Sequence, residues 1–383
     1  MVPEPASPAS PASPVDAARP VRIVHVVQHL KSGGAETFVR GLTSGLRRSG
    51  LDVRILSIYP AGLRDEEQRA LGVPVTSLER AGRSDVGAFG RTIAALRESR
   101  PDVVHAHLHA GKYAGRIGAI AAGVPSIVFT EHGDEAGGAL RSAVNRILHA
   151  RTSRFVVFSE SQRFAFAERE RVPLDRVVAI PNGVAEPPEA DRFSIRRELG
   201  IRGDAFLVYM PARLTTQKNH TVALRAFART FANAREALLV IAGTGPLEET
   251  LRDEIASLGL AERVRFLGFR DDAARLMRAM DVFAMPSLWE RMPLALGEAM
   301  RAGLPVVTSP WDGCADFARD GDTAIVAADG SVEAFAFALE RARSAALRVS
   351  LAERARAFAG HAFALETSVE RHAALYAELA RRA

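Results

Sequence analysis

Residues 21–30 read VRIVHVVQHL, and residues 33–50 read GGAETFVRGLTSGLRRSG. The first run is short, apolar and rich in β-branched residues, as a strand buried on both faces is. The second opens on two glycines and continues with helical spacing of apolar residues. The same couple recurs downstream. DVRILSI (52–58), PDVVHAHL (101–108), SIVFTEH (126–132), RFVVFS (154–159) and VVAIPNGV (177–184) read as strands, with helical stretches between them, one starting near Lys112. Strands alternating with helices predict a parallel sheet covered on both faces. The segment AEPPEAD (185–191) is acidic and proline-rich and reads as a linker. Beyond it the alternation starts again with AFLVYM, ALLVIAG, RVRFLGF, DVFAMPS and PVVTS. The expected fold is α/β, with two Rossmann-like domains facing each other across a cleft.

The chain has 383 residues, enough for about two domains at roughly 150 residues each. One cysteine, Cys314, excludes an internal disulfide framework. A net charge of +5 is too small for a nucleic-acid-binding field, so no nucleic-acid partner is expected. There is no apolar run of about 18 residues to cross a membrane. Residues 1–20 form a Pro/Ala/Ser tract without the basic start and apolar middle of a secretory signal; a disordered tail and a cytoplasmic location are expected. The segment 139–154, ALRSAVNRILHARTSR, has four arginines and no acid. It reads as a solvated basic face or as an amphipathic helix resting on anionic lipid.

In such sheets ligands bind beyond the carboxyl ends of the strands, so the loops there carry the candidate residues. Gly33 and Gly34 open a helix, where bare backbone approaches a ligand and free N–H groups attract an anion. His105, His107 and His109 alternate, which would put three imidazoles on one face if the strand runs that far; hydrogen bonding or a metal are the alternatives. His132 ends SIVFTEH and is placed to touch a substrate. Arg213 and Lys218 lie five residues apart in one loop, two fixed cations suited to a diphosphate leaving group. Lys218 is one of only three lysines. In PSLWERMPLALGEAM (286–300), Pro293 suits the first turn of a helix. Glu290 then lies just before that helix and Glu298 in its second turn, so two carboxylates flank a helix N-terminus.

Glu290 and Glu298, seven residues apart, resemble the paired glutamates of the retaining nucleotide-sugar glycosyltransferases of family 4, which have the GT-B fold. Other pieces fall in the same order: GGAE, EHG, IPNGV (180–184), RLTTQKN, AGTGP (242–246) and FLGF (266–269). The resemblance spans nearly all of the chain from Val21. It implies an acceptor domain over 21–185, a donor domain over 191–360, and a closing segment over 361–383 whose helix, near Ser368 to Ala380, crosses back to the first domain. It implies that Arg213 and Lys218 grip the diphosphate of a nucleoside-diphosphate sugar. Glu290 would hold sugar hydroxyls, Glu298 the ribose, and His132 would face donor sugar and acceptor. Gly33 and Gly34 would lie against the phosphates, Phe269 would border the base, and Gly243, Met292, Pro293 and Leu294 would complete the donor site. It implies transfer with retention to a glycan, lipid-linked or small-molecule acceptor, with no metal and no cofactor beyond the co-substrate. Three positions depart from the family pattern: Arg291 and Ala324 replace glycine, and Asp316 replaces glutamate. A sugar-nucleotide epimerase on this fold and a non-catalytic sugar-nucleotide-binding module are the competing readings. Asp320-Gly321-Asp322 has the letters of a metal-binding Asp-x-Asp, but in a glycine-rich turn.

Overall fold

The computed structural model describes residues 19–382 apart from 32, 61, 63, 83 and 134–138. Most of the N-terminal tail and part of the loop after His132 thus lie outside the described residues.

Seven parallel strands form the first sheet: β1 Arg22–Val27, β2 Asp52–Ser57, β3 Val75–Ser77, β4 Val103–His107, β5 Ser126–Thr130, β6 Arg154–Val157 and β7 Val177–Ala179. Their spatial order is β3-β2-β1-β4-β5-β6-β7. Six parallel strands form the second: β8 Leu207–Pro211, β9 Leu238–Ala242, β10 Val264–Phe266, β11 Val282–Met285, β12 Val306–Thr308 and β13 Ile325–Val326, in the order β10-β9-β8-β11-β12-β13. In both sheets the order reverses direction beside the first strand, the crevice where such folds hold ligands. Among the described residues no helix is long and apolar enough to cross a membrane.

Side-chain parity explains the core of the first domain. Ile23, His25 and Val27 point to one face of β1, under the helix Gly34–Arg48 and the closing helix Leu365–Arg381. Val24 and Val26 point to the other face, with Leu96 and Ala119 from the covering helices. In register, His25 lies beside His105 of β4. The strand stops at His107, so His109 leaves the row and meets Tyr113 edge to face instead. The three-histidine face expected on one strand is corrected accordingly. The helical region after it begins at Leu108, earlier than Lys112, and widens through a π-helical turn at Gly111–Gly115.

The chain crosses between domains twice, side by side. Val184 donates its backbone N–H to the Phe363 carbonyl at 2.8 Å and bridges Ala364. Gly183 must be glycine for this approach, since a Cβ there would sit 2.4 Å from the Leu365 Cα. Glu186 of the linker pairs with Arg301 at 2.8 Å and with Arg356 at 3.4 Å, which ties the crossing to the second domain. The helix Ala345–Ala362 stays on that domain, and the helix Leu365–Arg381 lies on the first. Arg154, one of the four arginines of the basic segment, begins β6 and pairs with Glu378 of that closing helix at 2.8 Å, which reduces the free basic face.

Candidate active site

On the second domain, the loop after β8 carries both candidate cations. Lys218 donates to Glu290 Oε1 at 2.5 Å. The two loops are zipped further by Gln217, whose side chain donates to the Trp289 carbonyl at 2.8 Å and whose own carbonyl accepts from Leu288 N at 2.9 Å. Glu290 is buried and its charge is matched by Lys218. Arg213 is exposed and makes no ion pair among the described residues. The neighbouring loop is held close by Gly243, where a Cβ would lie 2.0 Å from the Ala212 carbonyl oxygen. Phe269 stands 52% exposed beyond β10, an aromatic face open to a ligand.

The helix Leu294–Arg301 starts between these loops and the first domain, with no side chain capping it. Pro293 is the residue before its first turn, one position earlier than the sequence implied. Glu298 follows in the second turn, and burial pushes its carboxyl up to about 7 from an ordinary 4.5. Leu294 meets the first domain: a Cβ on Gly34 would be 3.9 Å from its Cγ. The Met292 side chain is buried, and its sulfur accepts from Asn182 N at 2.9 Å.

From the first domain come the turn Gly33–Gly34, which opens an uncapped helix, and His132 just past β5. His132 is partly exposed and packs against Phe38 and Phe158. Behind it lies a set of rings of which sequence spacing marked only His105 and His107. His107 Nδ1 is 3.1 Å from His132 Nε2, and His25 Nδ1 is 2.9 Å from His107 Nε2. His105 bonds Tyr376 and Thr130, each at 2.6 Å. His372 donates from Nδ1 to the Ser368 carbonyl at 2.8 Å. Burial holds these imidazoles neutral: His25 and His132 are lowered to about 3, and His105 and His107 well below their ordinary value. Nitrogens of His25, His105 and His107 lie within 4.8 Å of one another. The His25–His107 contact of 2.9 Å is nevertheless a hydrogen-bond distance, shorter than the ~3.3 Å that two nitrogen ligands of a tetrahedral ion would keep.

Arg291 reaches into the first domain. Its carbonyl accepts from Gln162 Nε2 at 2.6 Å, and it shares a small recess with Glu131, Gln162 and Arg169. Burial raises the Glu131 carboxyl, and Lys112, Arg169 and Arg291 oppose that rise. Asp316, another departure, accepts from the Ser161 hydroxyl across the domains. Asp320 and Asp322 are held by Arg341 and Arg354. A cavity of about 370 Å³ opens beyond β1, β2 and β3, lined by Gln28, His29, Lys31, Tyr59, Glu79 and Arg80 among others. Lys31 is another of the three lysines.

Two parallel sheets in facing domains, with a cation and an ion pair at the carboxyl edge of the second, are the architecture of the GT-B fold. Residues 32–186 match the profile described as Glycosyltransferase Family 4, and residues 191–358 the profile described as Glycosyl transferases group 1. The chain belongs to this family of glycosyltransferases. It is 32% identical over 309 residues to the putative glycosyltransferase EpsF of Bacillus subtilis (strain 168), covering 75% of this chain and 79% of that one. It is 31% identical over 264 residues to the UDP-Gal:alpha-D-GlcNAc-diphosphoundecaprenol alpha-1,3-galactosyltransferase of Escherichia coli, covering 65% and 68%. Its fold is similar to that of Anabaena HepE in complex with UDP and glucose, with a TM-score of 0.83, 21% identity, and 94% and 100% coverage.

Proposed function

We propose that this enzyme transfers a hexosyl group, with retention and without a metal, from a UDP-sugar to a lipid-linked or other envelope glycan acceptor. The observation that carries the reading is the Lys218–Glu290 pair at 2.5 Å beside the exposed Arg213. A diphosphate entering there meets Arg213 and draws Lys218, which leaves Glu290 free to accept hydrogen bonds from sugar hydroxyls. The uncapped helix Leu294–Arg301 adds backbone N–H groups for the same anion. Glu298 accepts from the ribose, and Phe269 flanks the base. UDP is the favoured nucleotide because HepE is complexed with UDP and glucose and the E. coli relative is named for UDP-Gal. The latter's name also supports a diphosphate-lipid acceptor, which would enter from the cavity beside Lys31.

In the reaction the acceptor oxygen bonds the anomeric carbon on the face the diphosphate leaves. The carbon–oxygen bond to phosphate breaks, and the departing phosphate oxygen takes the acceptor's proton. Positioning and charge stabilisation supply the catalysis. We place the reaction in the cytoplasm, at the inner face of the membrane where a lipid-linked acceptor would be met. The test is a thermal-shift and hydrolysis screen of UDP-, GDP-, ADP- and dTDP-sugars, each with and without chelator. Selective stabilisation and hydrolysis of a UDP-sugar, unaffected by chelator, is expected. Loss of hydrolysis with chelator would overturn the metal-free mechanism, and preference for another nucleotide would overturn the donor assignment.

A further inference from the structure

His25, His107 and His132 form one hydrogen-bonded row from the core to the cleft, through Nδ1···Nε2 contacts of 2.9 Å and 3.1 Å. A neutral imidazole has one N–H and one bare nitrogen, so the row can run in only two directions. In one direction each Nδ1 carries the proton and donates outward, which leaves the buried His25 Nε2 bare. In the other each Nε2 carries the proton, and His25 buries an N–H. His25 Nε2 is buried with no hydrogen-bonding protein atom near it. An unpaired buried N–H is the rarer and costlier of the two ends. The same core already holds a bare imidazole nitrogen. His372 Nδ1 faces a carbonyl oxygen and must donate to it, so the buried, unpaired His372 Nε2 carries no proton.

We infer that the buried end of the row sets its cleft end: His107, backed by His25, holds His132 in the tautomer with its proton on Nδ1. His132 therefore presents a hydrogen-bond donor to the cleft, not a base. His107 and His25 are positioning residues. His105 and His372, with Tyr376 and Thr130, are the polar groups packed against the row, and their own hydrogen bonds keep His105 out of it. The inference deepens the proposed transfer and rests on it only for what His132 touches. A donor at that point can hold a sugar hydroxyl or phosphate oxygen and leaves the acceptor's proton to the departing phosphate.

Long-range proton–nitrogen spectra of the full chain labelled with ¹⁵N-histidine decide the tautomer without any turnover. In the unmodified protein near neutral pH, His132, His107 and His25 should each show a protonated Nδ1 and a bare Nε2. A protonated Nε2 on His132 overturns the inference. His107→Leu should release His132 to a mixture of tautomers, moving both of its nitrogen signals to intermediate positions. Turnover should fall roughly two- to tenfold, the scale of one lost hydrogen bond. His132 signals unmoved in that variant would overturn the role of His107. His132→Ala with undiminished transfer would instead sink the catalytic reading while leaving the tautomer assignment in place.

Discussion

The two sheets share an architecture and differ in what their central strands bury. β1 and β4 of the first sheet carry His25, His105 and His107, all fully buried. β8 and β11 of the second bury Tyr209, Phe283 and Met285 together on one face of that sheet. In the second domain the candidate charges Arg213, Lys218 and Glu290 lie in loops beyond the strand ends, and the buried Arg196 of a covering helix is paired with Asp281. In the first, polar rings run through the core to the cleft. A polar core of this kind is stable only while its members are neutral and paired. The difference thus separates a domain whose integrity depends on pH from one whose charge depends on local ion pairing.

The largest expected effect is acid unfolding that divides the molecule. The folded-state values of His25 and His132 are lowered from 6.5 to about 3, and that of His372 to about 4. The unfolded chain therefore binds more protons between these limits, and stability falls as pH drops from about 6.5 towards 3. A tenfold change in proton affinity is worth about 1.4 kcal/mol, so several such rings together outweigh any single contact. In the second domain His220 is similarly lowered, to about 4, but it stands alone there. Both tryptophans, Trp289 and Trp311, lie in the second domain. Amide-exchange protection of β1 and β4 should be lost at a higher pH than the tryptophan emission changes. Coincident transitions would erase the contrast.

Next in size is Glu290→Gln, which should lower turnover about 10²–10³-fold with circular dichroism unchanged. Near-unmodified transfer by that variant would remove charge at the second domain's loops from the mechanism. Third comes packing at the crossing. On Gly45→Ala the new methyl would lie 2.4 Å from Val369 Cγ2 of the closing helix. A loss of about 1–3 kcal/mol is expected in denaturant unfolding. Gly297→Ala in the second domain meets Phe363 at 3.1 Å and should cost less. The smallest effect concerns Glu298, raised from 4.5 to about 7. Its folded form holds a proton that the unfolded form has lost, so its contribution to stability falls as pH rises across that window. Donor binding should move the other way, tightening a few-fold through pH 7 as the carboxylate ionises, and Glu298→Gln should flatten that dependence in a KM–pH series.

Much of the fold was legible because strands buried on both faces read as apolar runs. β3 and β13 were not, since VTS and IV are too short to stand out from loops. The loops after β8 and β11 could be marked from charge and spacing, and the structure joins them through Lys218 and Glu290. His107 and His132 could be marked singly, but their row with His25 could not, because positions 25, 107 and 132 meet only through strand register. Arg291 was conspicuous as a departure, but its direction, towards Glu131, depends on how the domains meet.

The closing helix has a consequence for how the protein is made. Tyr376, which bonds His105, and Leu365, Val369 and Leu379 complete the core of the first domain. Domains commonly fold in the order in which the ribosome releases them. Here the first domain to emerge lacks part of its own interior until residues 365–381 arrive, after the whole of the second domain has been made. A nascent chain must keep its early, histidine-lined sheet soluble through nearly the whole of synthesis. A chain cut before Leu365 therefore leaves the core of the first domain without its cover.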